Sequence, residues 1–354
     1  MIRYPFGEAP AEGQAIEVAA GVLWMRLPLP MALDHVNVYA LDDGDGWTLV
    51  DTGMASKRGV AIWESLLAGP LGGKPVRRVI VTHHHPDHVG MAGWFQGRGA
   101  ELLMTRTAWL YARMLVLDVQ ARPTAEQMAF WRKAGMDAAL LAQRSAERPY
   151  NFIDAVAPMP LGFTRISEGG VIAAGGRDWV VRLGSGHAPD HATLWSLDGE
   201  VVLGGDQLLP SISANIGVYP TEPEANPLAD WLASTKAFAP FATAEQLVLP
   251  GHKLPFRGLP LRLVQMVANH ESALERLRAR LVVPLTAVEC FMALFRREIG
   301  GAEYGLALVE AVAHLNYLLQ RGEVSRVMRA DGAWVWVIRN EGAGHGDQSI
   351  GKKG

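Results

Sequence analysis

The chain is 354 residues long, 49 % apolar, and carries a formal net charge of −3. That length exceeds a usual single domain, so a large domain with a smaller companion is expected, built around a sizeable core. The slightly acidic balance excludes a nucleic-acid footprint spread over the whole surface, and a single cysteine, Cys290, excludes an internal disulfide.

The segment Met1 to Glu8 has no signal-like apolar stretch and no apolar run reaches membrane length, which predicts a cytoplasmic protein with no membrane association. Strand signals open the chain at Val22–Leu27, His35–Leu41 and Trp47–Val50, separated by Pro or Asp-Gly turns. A helix is predicted over Ser56–Ala68, then a strand at Arg78–Thr82, a short helix at Gly90–Phe95 and a strand at Glu101–Met104. From Arg106 to about Arg148 the pattern is helical and rich in Leu, Met, Trp and Ala. It reads as an insertion, either a lid over an apolar acyl pocket or a dimer interface. Strands resume at Val171-Ile172, Trp179–Leu183, Ala192–Trp195 and Val201–Leu203, followed by a helix near Leu228–Phe238 and a strand at Gln246–Leu249. Pro255 to Pro260 reads as a linker, so the expected boundary divides a domain at 1–257 from a second at 258–340. The second has three helices, one opened by the capping box Thr286–Glu289, and a hairpin at Val324–Arg329 and Ala333–Ile338, which together read as winged-helix-like. The tail 341–354, with His345, is expected to be disordered.

The chemistry is concentrated in His83-His84-His85-Pro86-Asp87-His88, which directly follows the apolar run Val79–Thr82. His83 and His85 at i and i+2 can share one metal ion, with His84 pointing elsewhere and Pro86 stiffening the turn, while Asp87 and His88 face a second ion. Three further candidates each follow a strand signal: His187 completes the first position, His252 the second, and Asp206 spans both. A His/carboxylate set without thiolate suits two divalent ions, zinc first, with iron or manganese as alternatives. Such a pair activates a bridging hydroxide, with Asp87 placed to position the nucleophile and carry a proton. Asp51, before Thr52-Gly53, reads as a support of the motif loop rather than a ligand. His191 reads equally as such a support or as a strand cap. Tyr219 reads mainly as packing, with a hydrogen bond to a substrate oxygen as its functional alternative. His35, His270 and His314 read as ordinary core or surface histidines, with a supporting role behind the site as the alternative for His35, which lies in an early strand beside Asn37.

This ligand series, together with Leu49–Gly53 and Gly205–Pro210, resembles the metallo-β-lactamase superfamily over nearly all of residues 15–255. With its appended C-terminal module the chain is similar to the branch that includes β-lactamase-like protein 2, and more distantly to glyoxalase II. The resemblance implies an α+β fold, a four-layer αβ/βα sandwich with the di-metal site at one edge, plus the small winged-helix-like domain. It implies a hydrolase of a small ester, thioester or lactone. A ribonuclease is the alternative and a non-haem iron oxygenase the third class. Residues 258–340 hold ten Arg, no Lys and eight Asp plus Glu, too even a balance for a phosphate-gripping face, so a small-molecule acyl substrate is expected rather than nucleic acid. A homodimer fits the apolar insertion.

Overall fold

The computed structural model describes residues 1–339, so the expected disordered tail at 341–354, with His345, lies outside the described residues. The chain begins with an antiparallel meander of β1 (Ile16–Ala19), β2 (Val22–Pro28), β3 (His35–Asp42) and β4 (Trp47–Val50). Next comes α1 (Lys57–Ala68), whose first turn is closed by the Ser56 side chain accepting the Gly59 N–H at 2.8 Å. It crosses to β5 (Val76–Ile80), parallel to β4. Then α2 (Pro86–Val89) and α3 (Ala92–Gln96) lead to β6 (Glu101–Met104), also parallel. Three helices follow, α4 (Arg106–Leu117), α5 (Ala125–Lys133) and α6 (Ala138–Ala146), and β7 (Thr164–Arg165) completes a seven-stranded mixed sheet in sequential order.

The second sheet is built from β8 (Val171–Ala174), β9 (Arg177–Gly184), β10 (His191–Ser196) and β11 (Val201–Gly205). After α7 (Pro227–Phe238), β12 (Leu247–Pro250) joins it parallel to β11, giving the order β12-β11-β10-β9-β8.

Alternation along the strands sorts side chains between two cores. Trp24, Tyr39, Leu41 and Ile80 point between the sheets, where they meet Trp179, Leu194, Leu203 and Leu249. Their neighbours Met25, Val38, Ala40 and Val79 point outward, under Trp63 and Leu66 of α1, Phe95 of α3 and Ala108 of α4. Both faces are covered, so β3 is buried from Val36 through Leu41 and reads as a nearly continuous apolar run.

The outer face of the second sheet carries a third core that does not stop at the sandwich. Trp195, Val202 and Val248 pack against Leu228 and Trp231 of α7, and the same cluster continues into α8 (Leu259–Arg280), α9 (Phe291–Phe295) and α10 (Tyr304–Gln320). The hairpin β13 (Val324–Met328) and β14 (Trp334–Ile338) closes this end, so three helices and a hairpin follow in the expected order. The Thr286 capping box is present, but it opens a short 3-10 turn leading into α9 rather than a long helix. The segment read as a linker is pinned: Phe256 is fully buried and exchanges both backbone hydrogen bonds with Val248, at 2.8 and 3.0 Å.

The helical block after β6 divides in two. In α4, Ala108, Ala112 and Val116 belong to the outer core of the first sheet. Phe130, Ala134, Met136 and Leu141, in and around α5 and α6, join the core of the C-terminal helices, with the Val288 N–H donating to Ala134 O at 3.3 Å. The block therefore spans from the sandwich to the C-terminal module.

Candidate metal centre

The strand ends β4, β5, β9, β11 and β12 open on one edge of the sandwich, where the connecting loops and α2 carry the predicted site residues. At the end of β4, Asp51 adopts φ 63°, a left-handed conformation disfavoured by roughly 1–2 kcal/mol for a residue with a side chain. In that conformation its buried carboxylate accepts the Thr82 N–H and the Thr82 hydroxyl, each at 2.8 Å, and the His88 Nδ1–H at 2.8 Å. The Thr82 oxygen in turn receives the His83 Nδ1–H at 3.0 Å. One carboxylate thus sets the tautomer and orientation of two imidazoles. Pro86 occupies the first turn of α2 just after His85, where its missing N–H costs nothing.

The later candidates are held in the same way. His187 Nδ1–H donates to the Asn215 carbonyl at 2.8 Å, and His252 Nδ1–H donates to the His35 carbonyl at 2.8 Å. Asn37 Nδ2 and the Tyr39 hydroxyl both donate to Pro250 O, at 2.9 and 2.8 Å, and fix the turn that carries His252. Asp206 follows Gly205 at φ +49°, where a Cβ would lie 2.5 Å from the His191 ring. His191 stacks on His83, and its Nε2 accepts the Asp206 backbone N–H at 3.1 Å. Burial pushes His191 down to about 3, so it is a neutral acceptor that aims Asp206.

With the outer nitrogens of His83, His88, His187 and His252 fixed as donors, the inner nitrogens present lone pairs to a common centre. His85 Nδ1 lies 3.0 Å from both His83 Nε2 and His187 Nε2. A single N–H cannot satisfy both contacts. Asp206 Oδ2 stands 3.4 Å from His187 Nε2 and 3.2 Å from His252 Nε2, while its Oδ1 is 3.4 Å from His88 Nε2. Asp87 Oδ2 lies 3.4 Å from His252 Nε2 and 3.5 Å from His88 Nε2. His88 Nε2 and Asp206 Oδ1 are buried without a hydrogen-bond partner among the described residues. Buried polar atoms are rarely left so, and here they belong to the atoms that would ligate a cation.

The charge pattern agrees. Burial opposes ionisation of Asp206, yet the imidazoles of His252 and His88 hold its carboxyl well below the usual range. Burial likewise opposes protonation of His252, but Asp206 outweighs it and raises the imidazole to about 10. The ligand atoms group as His83, His85, His187; as His83, His88, Asp206; and as Asp87, His88, His252, each group within 4.8 Å. A mixed imidazole and carboxylate set of this kind fits divalent transition-metal ions.

The seven predicted ligand residues are therefore brought together, with Asp51 and His191 directly behind them. Tyr219 is not among the converging atoms. It stands 44 % exposed on the loop after Asn215, near Glu310 of α10. His84 points away, as expected, to pack against Tyr111 and Phe152 at centroid distances of 5.2 and 6.5 Å.

The sequence model of the metallo-β-lactamase superfamily matches residues 31–252, well over half the chain. This chain belongs to the metallo-β-lactamase superfamily. The matched span contains every ligand candidate and ends on His252. A second model, the metallo-β-lactamase-like C-terminal domain, matches residues 274–339. A β-lactamase domain protein from Burkholderia ambifaria is 38 % identical with a TM-score of 0.87, over 96 % of this chain and 98 % of that one. A metallo-β-lactamase family protein from Thermus thermophilus is 28 % identical with a TM-score of 0.76, over 91 % of this chain and 100 % of that one. The probable metallo-hydrolase YqjP of Bacillus subtilis (strain 168) is 26 % identical over 308 residues, 84 % of this chain and 92 % of its own length.

Several residues that serve this superfamily site carry little mark of it in the sequence. His35 reads first as an ordinary histidine, with a supporting role as its alternative, and its carbonyl holds His252 while its Nε2 accepts the Lys253 N–H at 3.0 Å. Asn37 does leave a signal, since a buried amide inside an apolar strand must find partners. Gly251 matters through what it lacks: a Cβ there would overlap Asp206 Oδ1 and lie 2.8 Å from His88 Cε1. Gly251→Ala is accordingly expected to keep the fold by circular dichroism while weakening metal affinity. An alanine variant that titrates with zinc like the parent would remove this packing constraint.

Proposed function

We propose that this chain is a hydrolase that holds two divalent metal ions and opens a small ester, thioester or lactone. The observation that carries this reading is the convergence of imidazole lone pairs, the buried carboxylate of Asp206 and the partly exposed one of Asp87 on one centre, with His88 Nε2 and Asp206 Oδ1 otherwise partnerless among the described residues. In this reading His83, His85 and His187 hold one ion, Asp87, His88 and His252 the other, and Asp206 serves both. Bound divalent cations would lower the pKa of water from roughly 15.7 to near neutrality and polarise an acyl oxygen. Zinc is the first expectation, and iron or manganese suits the same donors.

Asp87 has the more open carboxylate, its side chain 19 % exposed against 8 % for Asp206. It is the group placed to orient an attacking water and take its proton. Asp51, His35 and Asn215 keep the imidazole lone pairs aimed inward as charge develops.

Acyl substrates are favoured by the rim. Tyr111 and Phe152 pack on His84, whose ring lies 4.7 Å from that of His85, and Leu110, Met114 and Leu117 on α4 are exposed. Tyr150 is close enough for Asp87 to act on it: partial burial and the carboxylates of Asp154 and Asp87 push its hydroxyl up to about 12. An apolar wall beside a metal centre suits a hydrocarbon acyl group better than a phosphodiester. Of Arg276, Arg278 and Arg280 on α8, the cluster that would favour the nuclease alternative, the first two are engaged within the chain. Arg276 donates to Ala293 O and Leu294 O, at 2.7 and 2.9 Å, and Arg278 pairs with Glu323 at 2.6 Å. The C-terminal winged-helix-like module is read here as a packing element rather than a strand-gripping one. A cytoplasmic location belongs to the same reading. No helix of the described residues is long and apolar enough to cross a membrane.

Metal analysis and a substrate panel on one preparation test the reading. About two metal ions per chain are expected, with turnover of thioesters, lactones or simple esters and none of short RNA. Chelation should abolish turnover, and readdition at about 100 times Kd should stabilise the fold by about 2.7 kcal/mol. A single iron per chain with no hydrolysis would move the function to redox chemistry.

A further inference from the structure

The C-terminal module reaches the metal centre through one polar chain. Asn215 lies on the loop between β11 and α7, and its carbonyl accepts the Nδ1–H of His187 at 2.8 Å. Its side-chain Nδ2 donates to Glu310 Oε2 at 2.8 Å and to Leu306 O at 3.1 Å, both on α10. Two acceptors fix which end of the amide faces the helix. The same loop is tied down elsewhere by the module: the Arg262 guanidinium donates to Leu209 O and Ile212 O at 2.6 and 2.8 Å, Asn269 donates to Ser213 Oγ at 3.0 Å, and the Val218 N–H donates to Val309 O at 3.1 Å. A loop of this length between Asp206 and α7 has no regular structure of its own. Its position is set by α8 and α10.

We infer that Glu310 is a positioning residue of the metal centre: through Asn215 it orients His187, and so makes the C-terminal module a working part of the metal site. The inference rests on the assignment of His187 as a ligand. Partners that hold the outer nitrogen of a metal-binding imidazole fix its tautomer and raise its basicity, and removing them typically costs about 10–100-fold in metal affinity. Glu310 acts one bond further out, on the residue whose carbonyl is that partner. A hydrogen-bonded carboxylate on α10 is a more exacting anchor than apolar packing, because its bond to Asn215 has one direction and one length.

Zinc affinity of the metal-free protein, measured by competition with a chromophoric chelator, provides the test, with the Co(II) absorption spectrum as a second readout. Glu310→Ala and Asn215→Ala are each expected to bind zinc about 10–100-fold more weakly and to show an altered Co(II) band. Glu310→Gln keeps an oxygen that can accept from Asn215 and should retain most of the affinity. The double variant should lose no more than either single one, as expected for two members of one chain of contacts. Parental affinity and spectrum in Glu310→Ala would overturn the inference; should that variant fail to fold by circular dichroism, parental behaviour of Asn215→Ala would do the same. If the parent protein itself binds no zinc or cobalt, the metal-site reading falls first. If the parent binds metal and the variants match it, only the inference falls.

Discussion

Asp206→Asn is expected to cut turnover by more than about 10–100-fold, the loss typical when only a residue behind a metal ligand is removed. It should also abolish the zinc-induced rise in Tm. Both oxygens of Asp206 face imidazole nitrogens from three separate segments, Oδ1 toward His88 and Oδ2 toward His187 and His252. Asparagine keeps the volume but replaces an acceptor with an NH2 group and removes the negative charge. Its new N–H bonds would point at lone pairs that otherwise face a cation, so the substitution satisfies the metal-free centre while spoiling the loaded one. The backbone bond to His191 and the Gly205 turn are untouched, which is why the fold should persist. Circular dichroism, zinc titration and steady-state rates on one preparation check this. Parental turnover in the variant would take Asp206 out of the chemistry.

What the sequence discloses about this site, and what it hides, follows from how each residue acts. The candidate ligands are side-chain types found where apolar strands end in an α/β fold, so His83, His85, Asp87, His88, His187, Asp206 and His252 are legible from type and position together. Residues that act through backbone carbonyls are not: the His35 and Asn215 oxygens that hold His252 and His187 could belong to any amino acid. Distance along the chain hides others. Asn215 and Glu310 meet across 95 positions, and nothing local in either segment announces the pairing. In the fold, β3 is predictable because both its faces are apolar, and β9 because buried positions alternate with partly exposed ones along it. β1 and β7, four and two residues long, are too short for any periodicity to register. The Pro255 to Pro260 stretch has the composition of a linker, yet Phe256 within it is fully buried and pairs with β12, because an unpaired sheet edge was available beside it. The helical block after β6 reads as one insertion because α4, α5 and α6 share a composition. Only packing separates α4, on the first sheet, from α5 and α6, on the C-terminal module.

Asp51 offers the sharpest separation of stability from metal binding, because asparagine and alanine remove different parts of what it does. Its carboxylate accepts three donors, the Thr82 N–H, the Thr82 hydroxyl and the His88 Nδ1–H, all buried. Alanine leaves each of them without its acceptor, at about 1–3 kcal/mol per orphaned group, and must also adopt φ 63° without the local hydrogen bonding that makes the conformation tolerable for Asp or Asn. Asp51→Ala is therefore expected to lose at least about 3 kcal/mol of stability, with or without metal. Asparagine accepts the left-handed backbone and keeps one acceptor oxygen, so Asp51→Asn should retain most of the stability. It cannot keep the rest of the function. The negative charge behind His88 is gone, and an amide NH2 turned toward Nδ1 would drive the proton to Nε2, the atom that must stay bare to bind a cation. Asp51→Asn is thus expected to bind zinc about 10–100-fold more weakly while unfolding in denaturant close to the parent. Equal losses of stability in the two variants, or parental zinc affinity in Asp51→Asn, would show that Asp51 braces the loop without tuning His88.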